Sequence, residues 1–194
     1  IITEEFVQRV SALPKLCPHF HLSLQSGCDA TLKRMNRRYT AGEYEEKCRL
    51  LRRYFDRPAL TTDIIVGFPG ETDEEFEQSK AFVDKMDFYE THIFKYSKRK
   101  GTKAADMPDQ VPEEEKNERS AALLALNKQK QEAYERELIG TVREVLIEEE
   151  EEGADGLYGI GHTKEYVKIR QKLCQNRINQ MVNVEIESRL QIIH

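Results

Sequence analysis

The sequence lacks the usual marks of several large protein classes. Its 194 residues hold four cysteines, and no two of them form a C-x-x-C pair. Cys17, Cys28, Cys48 and Cys174 are too dispersed for a local zinc site or a secreted disulfide framework. Aromatic residues make up only 8%, so large core side chains are few. No apolar run reaches the roughly 18 residues that a membrane span needs. The opening IITEEFVQRVSALPKL has neither the basic nor the apolar region of a signal peptide. It also has no initiator Met, which leaves a processed chain, a truncated chain or the edge of a fragment open. With 34% charged residues, the composition leads us to expect a soluble, cytoplasmic protein with no membrane partner.

A strong excess of one charge is missing too. The net charge of -5 makes no global case for a nucleic-acid partner. The distribution says more. Lys and Arg gather in Thr31–Arg57, Thr91–Ala104 and Leu157–Arg177, while acids crowd into PEEEKNE and IEEEEEGAD. Local basic surfaces can hold phosphate even on an acidic chain, although each run also fits an ordinary solvated face. His19, His21, His92 and His162 show no metal-ligand spacing, so no metal site is expected.

What is present alternates. HFHLSL reads as a short strand, and TAGEYEEKCRLLRRYF as a helix opened by a Thr40–Glu43 capping box. LTTDIIVGF is a β-branched run, as in a parallel strand buried on both faces. TDEEFEQSKAFVDKM is a second capped helix, and THIFKYS a third strand. This β-α-β-α-β order implies a parallel sheet with helical crossovers. Three strands cannot close a barrel, and the chain opens on a helix with no strand before it. We therefore expect residues 1–112 to be the later half, the last three βα units, of a larger α/β barrel.

Pro108 and Pro112 then introduce a connecting helix over 113–136. Residues 137–194 change to alternating strands, which suggests a small all-β, OB-like module of four or five strands. Glu148 to Glu152 reads as an exposed hairpin tip.

The strand exits carry the special residues. Gln25 and Ser26 stand beside a flexible Gly27, and both suit ribose or carboxylate contacts. Gly67, Phe68, Pro69, Gly70 and Glu71 form a stiffened turn where backbone can approach a ligand and Glu71 can accept from an amine or hydroxyl. Tyr96 and Ser97 close the third strand. In α/β folds, ligands gather at such carboxyl ends. Arg37, Arg38, Lys98 and Arg99 are basic candidates for RNA or a cofactor carboxylate. Read as one strand, Lys164, Tyr166, Lys168 and Arg170 alternate onto a single face that can meet RNA. Each turn also has a plainer reading, as an ordinary strand-to-helix connection.

Three blocks, PHFHLSLQSGCDATLKRMNRRYT, TTDIIVGFPGETDEEFE and FKYSKRKGTKAADMPDQV, in this order and spacing closely resemble the radical S-adenosylmethionine (SAM) methylthiotransferases. The β module resembles their terminal TRAM domain. Cys28 after Gln-Ser-Gly and the run KRMNRRYT look most like the bacterial branch acting on threonylcarbamoyladenosine in tRNA.

The resemblance implies a partial radical-SAM barrel followed by a TRAM domain, with SAM and 4Fe-4S clusters as cofactors and a tRNA anticodon stem-loop as partner. It also implies that Gln25, Ser26, Gly67 to Glu71, Tyr96 and Ser97 lie on the SAM wall. The family's C-x-x-x-C-x-x-C is missing here. The expectation is a C-terminal fragment, inactive alone and holding no catalytic residue of its own, that tends to dimerise or swap through its open edge. The alternatives are a stand-alone RNA-binding module, and the branches acting on isopentenyladenosine or a ribosomal protein.

Overall fold

The computed structural model describes residues 2–194, which separate into two compact units. One contains the residues through Pro14 and Phe20–Gln131. The other contains Lys15–His19 and Glu132–His194.

The first unit is a three-stranded sheet with helical connections. Its helices are α1 (Glu4–Ser11), α2 (Asp29–Arg34), α3 (Ala41–Tyr54) and α4 (Asp73–Met86). Its strands β1 (His19–His21), β2 (Ala59–Val66) and β3 (Glu90–Lys95) lie in spatial order β1-β2-β3. β2 and β3 are parallel, with Thr61 opposite Glu90 and Val66 opposite Lys95. Both capping boxes form: Thr40 with Glu43 opens α3, and Thr72 with Glu75 opens α4. Each satisfies two amide donors that the first helical turn would otherwise leave bare.

The apolar faces then meet. Tyr44, Cys48 and Leu51 of α3 pack with Phe76 and Val83 of α4 against Leu60, Ile64 and Val66 of β2. Burying each large aliphatic or aromatic side chain is worth about 1.5–3 kcal/mol. Leu123, on the long helix α5 (Glu113–Leu138), joins the same core, and Lys130 of α5 ties Asp84 and Asp87 at 2.7 and 2.6 Å. The connecting helix thus packs on the sheet unit for most of its length.

Two expectations change here. The strand expected from HFHLSL is regular only over His19–His21, because Gln25 takes a φ of 72° and ends the ladder as an isolated bridge to Ile64. β2 is fully buried on the face of Leu60, Thr62, Ile64 and Val66, while on the other face Ala59 and Thr61 are buried and only Asp63 and Ile65, toward the carboxyl end, are partly open.

The second unit is a four-stranded antiparallel sheet, ordered β6-β5-β4-β7. Its strands are β4 (Val142–Gly153), β5 (Gly156–Thr163), β6 (Lys168–Leu173) and β7 (Met181–Glu185). Val145, Ile147, Val167, Ile169, Val184 and Ile186 form its buried interior. Gly161 is required by close approach, since a Cβ there would lie 1.8 Å from the Leu146 carbonyl oxygen.

Glu148 to Glu152 are not a hairpin tip. They belong to β4, paired with β5 past a bulge at Ile147/Glu149, and the turn is Gly153–Gly156. Partners make an acidic strand tenable: His162 reaches Glu148 at 2.6 Å, Arg170 reaches Glu151 at 2.6 Å, and the Arg177 amide donates to Glu150 at 2.7 Å.

Candidate cofactor site at the strand ends

The three strand exits are pinned by backbone bonds before any side chain acts. Gln25 N donates to Asp63 O at 2.8 Å and Ile65 N donates back to Gln25 O at 2.9 Å. Tyr96 N donates to Val66 O at 2.8 Å. Gln25, Gly67 and Tyr96 therefore emerge at one end of the sheet. A left-handed Gln25 costs on the order of 1 kcal/mol, and such strained residues concentrate at functional sites.

Between the exits lies a cavity of about 440 Å³, lined by Gln25, Asp63, Phe68, Tyr96, Ser97 and Arg99 among others. Its walls pair an aromatic corner with polar tips. The rings of Phe68 and Tyr96 meet edge to face at 5.3 Å, and the Lys116 ammonium stands 5.8 Å from the Tyr96 ring centre. The Tyr96 hydroxyl is shut from solvent and has no hydrogen-bond partner among the described residues.

The remaining candidates lie elsewhere. Ser26 is buried, and its Oγ accepts from Cys28 N at 3.2 Å at the start of α2. Gly67 and Gly70 take φ of 71° and 76°, and Pro69 is buried between them. Lys98 is exposed and does not line the cavity, and Arg37 and Arg38 are exposed in the turn after α2.

Glu71 requires a correction. Its carboxylate does not face a ligand. It folds back to accept from Gly67 N at 2.6 Å and from Arg119 Nη1 at 2.9 Å, while Arg119 also donates to the Glu71 carbonyl at 3.1 Å. The side chains are 2% and 5% exposed, so Glu71 and Arg119 form a buried brace holding the glycine turn to α5. Burial lifts the Glu71 carboxyl above the usual carboxylate range, while the Gly67 amide and Arg119 pull it back. Arg119 had no local sequence signal, because its partner lies 48 residues away.

The basic face expected in the β module also changes. Lys164 and Tyr166 are not on the strand with Lys168 and Arg170. They sit in the turn between β5 and β6, where Tyr166 takes a φ of 69°. Lys164 pairs with Glu144, and Arg170 pairs with Glu151 while stacking 3.6 Å over Tyr158. The exposed Tyr166 ring instead stacks on His162, with centroids 4.4 Å apart and planes at 13°. The β-branched pattern around GHTKEYVKIR hid this turn.

Sequence spacing also missed a grouping on the open face of the first sheet. His21, Asp63 and His92, one from each strand, bring a ligand atom apiece within 4.8 Å of one another. No cysteine belongs to this group, and no other group of its kind occurs among the described residues. The cysteines do not fit an iron–sulfur cluster: Cys28 and Cys48 are buried, Cys17 and Cys174 exposed, and all are free. The strand-end cavity, by contrast, offers the polar and aromatic lining that a nucleoside cofactor such as SAM needs.

The radical SAM superfamily pattern matches residues 1–83. The threonylcarbamoyladenosine tRNA methylthiotransferase MtaB of Bacillus subtilis is 38% identical over 187 residues, covering 95% of this chain and 41% of that protein. The tRNA-2-methylthio-N(6)-dimethylallyladenosine synthase of Caldicellulosiruptor saccharolyticus is 40% identical over 185 residues, covering 95% of the chain and 39% of the relative. The chain belongs to the radical SAM methylthiotransferase family.

It spans about two-fifths of the length of these relatives. Among solved structures, coproporphyrinogen III oxidase (HemN) from Escherichia coli, a radical SAM enzyme, matches with a TM-score of 0.56. That match has 13% identity and covers 94% of this chain and 49% of the other, a likeness of fold alone. Among the described residues no helix is long and apolar enough to cross a membrane.

Proposed function

We propose that this chain is the cofactor-wall and substrate-side portion of a tRNA-modifying methylthiotransferase. In the longer protein it takes part in placing a methylthio group on N6-threonylcarbamoyladenosine beside the anticodon. The observation that supports this most is the strand-end cavity, where Gln25, Phe68, Tyr96 and Ser97 converge from three separate motifs.

The first unit is the later half of the radical barrel, and the antiparallel sheet is the TRAM domain. When bound, SAM supplies the methyl group and the adenosyl radical. The chain's own residues hold and orient it: Gln25 and Ser97 offer hydrogen bonds to its polar parts, and the Phe68–Tyr96 corner offers an apolar face. The iron–sulfur clusters are held by residues outside this chain, which is inactive by itself.

RNA reaches the module through the Tyr166–His162 stack, with Lys168 opposite His162, and reaches the cavity through Arg99, with the exposed Lys98 next to it in sequence. Stacking against the exposed Tyr166 ring, which here lies against His162 and His19, and phosphate contacts from flexible cations suit an unpaired anticodon loop. A second substrate reading stays in view because a dimethylallyladenosine synthase matches the same 95% of the chain at 40% identity. In that reading the same cavity and module serve isopentenyladenosine.

The test is binding of an anticodon stem-loop carrying threonylcarbamoyladenosine to the 194-residue chain at several salt concentrations. The expected result is an affinity that falls steadily with salt and exceeds that for an unrelated hairpin. Lys168→Ala combined with Tyr166→Ala should weaken it, with base stacking alone worth about 1–3 kcal/mol. Equal, salt-independent affinity for both hairpins would remove RNA from the account.

A further inference from the structure

The open face of the first sheet carries a cluster that the cofactor reading does not use. We propose that His21, Asp63 and His92 form a binding site for one divalent transition-metal ion, with zinc as its probe. The geometry of these three side chains is independent of the tRNA reading.

The three residues come from three adjacent strands, so the sheet fixes their backbones and leaves only side-chain torsions to adjust. Register places Asp63 directly opposite His92. His21 Nε2 lies 3.1 Å from Asp63 Oδ2. Two ligands at 2.0–2.1 Å on a tetrahedral ion stand about 3.3 Å apart, so this pair is already at coordinating separation. The His21 and His92 rings are 5.7 Å apart between centroids, and all three ligand atoms fall within 4.8 Å. His92 is the ligand that must swing inward. It is free to do so: its side chain is 44% exposed, and its nearest carboxylate, on Glu90, is 3.9 Å away.

The supporting bonds are those a metal-binding histidine needs. His21 Nδ1 meets Thr61 Oγ1 at 3.0 Å, and Thr61 is buried. In the tautomer that carries its proton on Nδ1, that nitrogen donates to Thr61 and the Nε2 lone pair points at the site. Such a bond to the far ring nitrogen holds tautomer and ring orientation in metal centres. Ser23 Oγ donates to Asp63 Oδ2 at 2.9 Å, which holds the carboxylate in place. Without an ion, a proton on Nε2 bridges that nitrogen to Asp63, and Ser23 Oγ stands 3.2 Å from the same nitrogen; a bound metal ion takes the place of that proton.

The donor set points to the class of ion. Two imidazoles and one carboxylate suit first-row divalent metals such as zinc or iron better than magnesium or calcium, which prefer all-oxygen sites. Three protein ligands leave a coordination position open. Asp63 also lines the strand-end cavity, so that position can be reached by an oxygen or nitrogen ligand of whatever the cavity holds.

The 194-residue chain, stripped with a chelator, is titrated with zinc by calorimetry and with cobalt(II) by visible absorption. The expected result is one equivalent bound, with the visible band of cobalt on nitrogen and oxygen ligands. Asp63→Asn and His92→Ala should each weaken binding at least about tenfold, the lower end of what losing even a supporting contact costs at metal sites. His162→Ala, in the other unit, should change nothing. Both histidines of the site are partly exposed, so His92→Ala opens no core, and Asp63→Asn keeps an acceptor for Ser23. No stoichiometric binding overturns the proposal. So does a thiolate charge-transfer band, which would put the ion on cysteine, or equal affinity in all three variants.

Discussion

Arg119→Met tests whether the Glu71 brace holds the glycine turn. Arg119 makes two bonds to Glu71, at 2.9 Å to the carboxylate and 3.1 Å to the carbonyl, one to Asp73 at 2.8 Å and a long one to the half-exposed Glu115 at 3.4 Å. The Asp73 bond counts for little, because that carboxylate is 89% exposed and surface pairs contribute about 0–1 kcal/mol. The Glu71 contacts dominate. Met fills similar volume but leaves a buried carboxylate with only the Gly67 amide, and breaking one side of a buried pair costs about 3–5 kcal/mol. With a urea dependence of about 2 kcal/mol/M, the midpoint of the sheet unit should fall by roughly 1.5–2.5 M.

The assay is urea unfolding followed by circular dichroism, with hydrogen exchange to assign the transition to the first unit. Adding Glu71→Gln should recover part of the loss, because no lone charge is then left inside. A midpoint within about 0.2 M of the parent, or a double variant no better than the single, would refute the brace.

Two further outcomes follow from the same region. Gly67→Ala forces a residue with Cβ into φ +71° and places that Cβ 2.3 Å from Lys116 Cγ. It should cost about 1–3 kcal/mol by urea unfolding, and adding Lys116→Ala should relieve the clash but not the backbone cost. The hydrogen bond from Arg34 holds the Glu75 carboxyl below its ordinary value. A lowered folded value contributes stability that is complete above the unfolded carboxylate range of about 4.3 and lost as pH falls through the lowered value. Glu75→Gln should therefore be less stable than the parent at neutral pH, and the gap should close on acidification. A gap that stays constant down to about pH 3 would contradict that linkage.

The sheet unit was legible because its signals are local. Thr40 with Glu43, Thr72 with Glu75 and the β-branched run of β2 each declare an element within a few residues. The strand exits followed, and Gln25, Phe68, Tyr96, Ser97 and Arg99 do meet around one cavity. Long-range pairing was not legible. Glu71 looked like a ligand donor because nothing near it announced Arg119, and three histidine and aspartate positions on separate strands carry no spacing that marks them as neighbours. In the β module, alternation continued through Lys164 to Arg170 although the backbone turns at Tyr166. Turn chemistry there needs a left-handed residue, and Tyr gives no such hint.

The account's central claim is that this chain supplies the cofactor wall and substrate side of a tRNA methylthiotransferase. The most direct measurement replaces the matching stretch of the Bacillus subtilis relative with these 194 residues. The hybrid is expressed where that relative is absent, and the tRNA nucleosides are read by mass spectrometry. The account predicts methylthiolated threonylcarbamoyladenosine, lost when Gln25→Ala and Tyr96→Ala are added. A soluble, cluster-loaded hybrid that leaves threonylcarbamoyladenosine unmodified would contradict it.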